Sequence, residues 1–256
     1  MKQAMLIDQT KCIGCGACTV SCKAIYARAS FGILRTRMKK YETGRFPHVS
    51  FRFRKHMCMH CIENAPCIEA CPVNAISYVS GDAGGMVIID DDTCIGCGNC
   101  TRQCPYQAPD RDRDRKKAEK CSFCSRRVLA GQTPFCAEAC PVGAITFGNR
   151  DDVLAEGRRR AEILRAKGRS HAYVWGSADT MVLYLLDQPP EIYELPAEGY
   201  TASRQTLLTR LATPAGGVLA AAALGAHGLH LLRERRRRIE DESKLQESHA
   251  GRADDG

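Results

Sequence analysis

Apolar positions along this chain come in short bursts rather than long amphipathic runs. Residues 5–7, 75–79, 86–89 and 144–147 read as β-rich stretches, the middle two flanking a glycine-rich turn at 81–85. Residues 151–167 predict an amphipathic helix. Asp151 and Asp152 fall in its first turn, Val153, Leu154, Ala161 and Leu164 recur at helical spacing, and Gly168 follows its end. Arg158, Arg159 and Arg160 read as its solvated basic face. Strand-like runs at 171–175 and 181–186 come next, and Pro189, Pro190 and Pro196 mark an irregular connection. Residues 211–232 then carry no charge for 22 positions, roughly 33 Å as a helix against a bilayer core of about 30 Å. This run is rich in alanine and glycine, which also suits a helix packed closely on a partner.

Composition changes the picture at one point. With 44% hydrophobic and 26% charged residues in 256, the chain is built for a folded core, and no collagen-like or low-complexity pattern fits. Aromatics, at 6%, are thin for a self-supporting core. The formal charge of +8 points at face value to nucleic acid or a lipid surface. The outlier is cysteine, with 16 residues.

These cysteines form four sets of four with none left over. Cys12, Cys15, Cys18 and Cys22 are spaced C-x2-C-x2-C-x3-C, and Cys94, Cys97, Cys100 and Cys104 repeat that spacing before Pro105. Cys58, Cys61, Cys67 and Cys71 have an x5 gap and precede Pro72; Cys121, Cys124, Cys136 and Cys140 have an x11 gap and precede Pro141. The phrase C-P-V-x-A-I recurs at 71–76 and 140–145, an internal repeat. Structural zinc favours two C-x2-C pairs over three crowded cysteines with a distal fourth. Disulfides favour a secreted chain with an apolar leader, and MKQAMLIDQT has none. The run C-x2-C-x2-C-x3-C-P is the iron–sulfur signature in which the fourth cysteine serves the other cluster of a pair. Gly14, Gly16, Gly96 and Gly98 leave room between ligands for backbone N–H groups to approach sulfur.

The expected architecture is α+β: two bacterial-ferredoxin-like units, the inner nested in the outer, holding four [4Fe-4S] clusters. Ligand exchange gives Cys12, Cys15, Cys18 with Cys140 as cluster 1. Cys58, Cys61, Cys67 with Cys104 form cluster 2, and Cys94, Cys97, Cys100 with Cys71 cluster 3. Cys121, Cys124, Cys136 with Cys22 form cluster 4. Spacing does not fix iron count, so one cluster of another type stays open. The four-cluster domain spans 1–150 with its inner unit at about 56–107, followed by an extension (151–204), an apolar, membrane-anchoring helix (205–232) and a charged tail (233–256). His56 and His60 flank Cys58, but set two is complete without them. Residues 111–120, with six basic and three acidic side chains, read as a solvated loop. No catalytic residue is expected, because every iron has a thiolate and no acid–base pair, nucleophile triad or phosphate loop appears.

The four-set order, including the x11 gap, resembles the polyferredoxin subunits of molybdopterin oxidoreductases and membrane hydrogenases over about residues 5–150. The stretches at 121–136, 144–152, 164–172 and 182–196, and the terminal apolar helix, are similar to the iron–sulfur (beta) subunit of respiratory formate dehydrogenases. That resemblance implies an electron-transfer role between a molybdenum or tungsten catalytic subunit and a membrane cytochrome b. It implies that the Cys12 cluster faces the catalytic subunit and the Cys121 cluster the membrane. The compact segment between sets one and two, the x5 gap and Lys23 in place of a proline depart from the pattern and leave a hydrogenase-associated or other molybdopterin relative open.

Arginines 233 and 235–238 follow the uncharged run directly, which puts the tail inside and the cluster domain outside, on the periplasmic side. Without a leader in this sequence, such export requires a partner carrying the signal. His227 and His230 near the inner end read as polar packing. A zinc protein binding nucleic acid is the remaining alternative, and the charge argues against it. Residues 233–256 hold seven basic and seven acidic groups, so the +8 lies before them. Four thiolate-ligated clusters at roughly −2 each would offset it.

Overall fold

Short strands and helices alternate along the computed structural model, which describes residues 2–26, 30–79, 85–176 and 179–197. In chain order they are β1 (Gln3–Asp8), α1 (Ala17–Ile25), β2 (Thr36–Arg45), β3 (His48–Met57), α2 (Pro66–Glu69), β4 (Ile76–Tyr78), β5 (Val87–Ile89) and α3 (Asn99–Gln103). There follow β6 (Asp110–Asp112), β7 (Lys117–Glu119), α4 (Ser125–Leu129), α5 (Phe135–Glu138), β8 (Ile145–Asn149), α6 (Arg150–Ala166), β9 (Tyr173–Trp175), β10 (Val182–Leu186) and a 3-10 turn, Pro190–Tyr193. The expected uncharged helix at 211–232, with His227 and His230, lies outside the described residues. Among the described residues no helix is long and apolar enough to cross a membrane.

The outer sheet has the order β8–β1–β10–β9. β8 runs antiparallel to β1, β10 parallel to it, and β9 antiparallel to β10. The two central strands are buried on both faces, which is why they read as continuous apolar runs. Side chains alternate across them. Met5, Ile7, Val182, Tyr184 and Leu186 face the cysteine-bearing core, and Ala4, Leu6, Leu183 and Leu185 pack against Val153 and Ala161 of α6. Helix and sheet approach closely at Gly157, where a Cβ would stand 2.9 Å from Val174 and 3.2 Å from Leu6. Asn149 caps α6, its side chain accepting the N–H of Asp151 at 2.9 Å. Because β10 pairs with β1, the chain after 150 is woven into the outer sheet; position 150 ends the cysteine motifs, not the packed unit.

Among the described residues three two-stranded antiparallel sheets complete the fold: β2–β3, β4–β5 and β6–β7. The first was not foreshadowed by apolar alternation. The last lies where a solvated loop was expected, and the physical reason is pairing of its charges. Asp112 and Glu119 are buried, Asp112 accepting from Ser30 and Glu119 pairing with Arg35 at 2.8 Å and Arg115 at 2.6 Å. The basic face of α6 is likewise only partly solvated: Arg160 reaches back to Glu156 (2.6 Å) and to buried Asp8 (3.5 Å).

Candidate metal centres

Each C-x2-C-x2-C loop turns on glycines with left-handed backbone. Gly96 (φ +64°) is the most constrained, since a Cβ there would stand 2.2 Å from the carbonyl oxygen of Lys116. Gly16 and Gly98, also left-handed, end the two loops and start α1 and α3.

The outer cysteines gather as two cavities. One is lined by Cys22, Cys121, Cys124 and Cys136, and the other by Cys12, Cys15, Cys18 and Cys140. Each therefore combines three cysteines of one set with the fourth of the other. In the inner unit, burial raises the Cys61 thiol, and the charges of Cys58, Cys104 and Cys67 raise it further, so these four lie together. Cys94 and Cys97 bear in the same way on Cys100. Cys71 follows α2, which is tied to α3 by Asn99 Nδ2 donating to the carbonyl of Ala70 at 3.3 Å. Among the described residues no three His, Cys, Asp or Glu side chains close on a single metal ion. His56 has both ring nitrogens engaged, Nδ1 with Arg54 at 3.3 Å and Nε2 with the carbonyl of Gln107 at 3.1 Å.

Neighbour relations order the four groups. Lys55 lines both outer cavities, joining the Cys12 and Cys121 groups. Cys121 bears electrostatically on Cys58, and Cys100 on Cys67. The sequence of neighbours is thus Cys12 group, Cys121 group, Cys58 group, Cys94 group. Burial agrees: the three leading cysteines of both middle groups are buried, whereas Cys15 is exposed and Cys12 and Cys97 are partly exposed. The Cys121 group, expected at the membrane end, is instead interior: Cys121, Cys124 and Cys136 are all buried, with the Cys12 group beside them across Lys55 and the Cys58 group beside Cys121.

The proline after a fourth cysteine has a visible consequence. At Cys71, Cys104 and Cys140 the following proline cannot continue a helix. The chain instead makes a turn whose fourth residue, Asn74, Gln107 or Gly143, is left-handed and donates to the cysteine carbonyl. The next N–H, of Ala75, Ala108 or Ala144, then points at the cysteine sulfur at 3.2, 3.4 and 3.2 Å. Cys22 is followed by Lys23, α1 runs on, and the N–H of Tyr26 is spent on the Cys22 carbonyl at 3.0 Å. The Tyr26 side chain serves the same group differently, lining its cavity beside Cys124.

These surroundings fit iron–sulfur clusters. Burial pushes Cys22 up to about 12, and Cys104 and Cys136 to about 11, so thiolates form there only against bound positive charge. Lys55 and Lys120 are buried within this cysteine core, and neither is paired with a carboxylate among the described residues. His60 is fully buried. Its Nδ1 accepts from Val87 N–H at 3.0 Å, which leaves a proton on Nε2, and that atom has no protein partner. An anionic, sulfur-rich guest satisfies all three. Sequence reasoning missed Lys55 and Lys120. The available signal was position, three residues before Cys58 and one before Cys121.

Two family models, each described as a 4Fe-4S dicluster domain, match residues 4–72 and 49–150. The chain is 34% identical over 216 residues to the iron–sulfur subunit of a nitrate-inducible formate dehydrogenase from Escherichia coli (strain K12), covering 76% of this chain and 72% of the relative. It is 32% identical over 248 residues to a formate dehydrogenase iron–sulfur subunit from Haemophilus influenzae, covering 88% and 77%. It is 37% identical over 171 residues to the thiosulfate reductase electron transfer subunit PhsB of Salmonella typhi, covering 66% and 83%.

Proposed function

From the premise that this chain belongs to the 4Fe-4S iron–sulfur subunits of oxidoreductase complexes, the family that includes those of formate dehydrogenases, we propose that it is the electron-transfer subunit of a respiratory formate dehydrogenase. It is a non-catalytic relay working beside a catalytic partner, here a molybdenum or tungsten subunit, and its acceptor is a membrane cytochrome b or quinone site. A [4Fe-4S] cluster, when bound, supplies reversible one-electron storage. Four such clusters are proposed, on the ligand sets Cys12/Cys15/Cys18/Cys140, Cys121/Cys124/Cys136/Cys22, Cys58/Cys61/Cys67/Cys104 and Cys94/Cys97/Cys100/Cys71.

The observation that carries this reading is sixteen cysteines in four sets, with the leading cysteines of the two middle groups buried and those of the two end groups including exposed Cys15 and partly exposed Cys12 and Cys97. Ends open to partners and a buried middle are what a relay requires, whereas a catalyst requires an open site. The Cys12 group would meet the catalytic subunit, and the Cys94 group would then serve the acceptor side. In this reading residues 211–232 anchor the chain, the arginines after them lie inside, and the cysteine-bearing part lies outside by co-export with its partner. A cluster domain digested only after spheroplasts are lysed would contradict that topology.

One observation favours a second donor: the thiosulfate reductase relative is as similar in identity as the formate dehydrogenase ones. Purification of the full chain from native membranes, with mass spectrometry of its companions, tests both. A formate-oxidising molybdopterin subunit and a cytochrome b are expected. A different molybdopterin subunit or a hydrogenase large subunit would replace formate as the donor, and co-purifying nucleic acid would overturn the relay.

A further inference from the structure

We propose that Lys55 and Lys120 are fixed counter-charges of the relay, Lys55 shared by the Cys12 and Cys121 groups and Lys120 assigned to the Cys58 group. The inference rests on the cluster reading above and concerns what that reading leaves open: how neighbouring centres hold electrons at once.

Lys55 lies in the buried half of β3, with 1% of its surface exposed. Its backbone carbonyl accepts the hydroxyl of Tyr184 on the outer sheet at 2.6 Å, which fixes the strand there. Its ammonium donates to Met57 Sδ at 2.7 Å, and no carboxylate pairs with it among the described residues. The side chain lines both outer cavities, with Cys18 on one side and Cys121 and Cys136 on the other. Lys120 is buried as well. Its ammonium donates to the carbonyls of Val87 and Cys121, and its charge acts on Cys58, Cys67 and Cys104.

A buried ammonium without an anion is costly, and these two are placed where anionic groups belong. An electron arriving at a cysteine-ligated centre adds one negative charge to a site already negative. A cation between two such sites stabilises the added charge on either, and in a dry interior that attraction is weakly screened. Lys55 therefore raises the reduction potential of both outer centres and lowers the penalty for reducing them together. The Cys94 group, at the far end, has neither lysine.

EPR-monitored redox titration of the full, cluster-loaded chain tests this, with iron content measured on each sample. Lys55→Met is expected to move two of the midpoint potentials downward most. Lys120→Met is expected to move a third most, and the fourth is expected to move least in both. Lys55→Arg, which keeps the charge, should restore both outer potentials towards the unmodified values. Loss of iron from the outer pair alone in Lys55→Met also supports the role, because the counter-charge is then needed for those clusters to be held. Unchanged potentials, equal shifts of all four, or iron lost from every group would overturn it. The iron content of the unmodified chain reads the four-cluster reading separately, so the two failures are distinguishable.

Discussion

The backbone N–H of Ala144 donates to the sulfur of Cys140 at 3.2 Å, across a turn that Pro141 imposes. Ala75 with Cys71 and Ala108 with Cys104 repeat the relationship, whereas Cys22, without a following proline, has no such donor four residues on. An N–H aimed at a cluster sulfur favours the more negative, reduced state. Pro141→Ala lets α5 extend as α1 does. The expected result is a lower midpoint potential for the cluster on Cys12, Cys15, Cys18 and Cys140, read by redox titration. A modest loss of stability, roughly 0.4–1 kcal/mol from the freer unfolded chain, should accompany it.

The exchange of fourth cysteines gives a crossed outcome. Cys140→Ser should damage the centre held by the first set, and Cys22→Ser the centre held by the fourth. EPR signals of the two variants, compared with those of Cys15→Ser and Cys124→Ser, check this. Cys140→Ser matching Cys124→Ser would contradict the pairing.

Glycines that share a conformation differ in what surrounds them. Gly96 and Gly16 both have positive φ, but a Cβ at Gly96 meets the Lys116 carbonyl at 2.2 Å, while nothing lies within 4 Å of one at Gly16. Gly16→Ala should carry only the conformational cost, about 1–2 kcal/mol. Gly96→Ala must also open the β6–β7 turn, and it should lose iron faster on warming.

Asp112 gives a pH signature. Burial opposes its ionisation, but the N–H groups of Ser30 and Arg115 and the hydroxyl of Ser30 outweigh that and hold its carboxyl at about 2. A carboxyl depressed in the folded state stabilises it above the unfolded value near 4, and the contribution disappears as pH falls towards 2. Relative to Asp112→Asn, the native chain should be more stable by roughly 2 kcal/mol at pH 5 and above, the gap closing below pH 4. Melting temperatures of the two proteins across that range measure it.

Ligand groups and outer strands were legible because their signals are local. Cysteine spacing dictates which sulfurs share a loop, and β1, β8 and β10 are short apolar runs. The β2–β3 hairpin was not legible: Thr36–Met57 is mostly polar, and its buried end (Arg54, Lys55, His56) looks like surface. The same holds for β6–β7, whose charges are hydrogen-bonded by Ser30 and paired with Arg35 and Asp91, distant in sequence. Lys55 and Lys120 share that cause, since a charged residue reads as exposed until its counter-ion is known. The order of the four groups depends on tertiary packing, which no motif encodes.

The central claim is that the sixteen cysteines hold four cubane clusters, and it is tested most directly by counting metal and sulfide. Chain purified without oxygen should contain about sixteen iron and sixteen acid-labile sulfide per polypeptide, four of each per [4Fe-4S] centre. A full complement of zinc with no labile sulfide, or a plateau near eight iron, would contradict it.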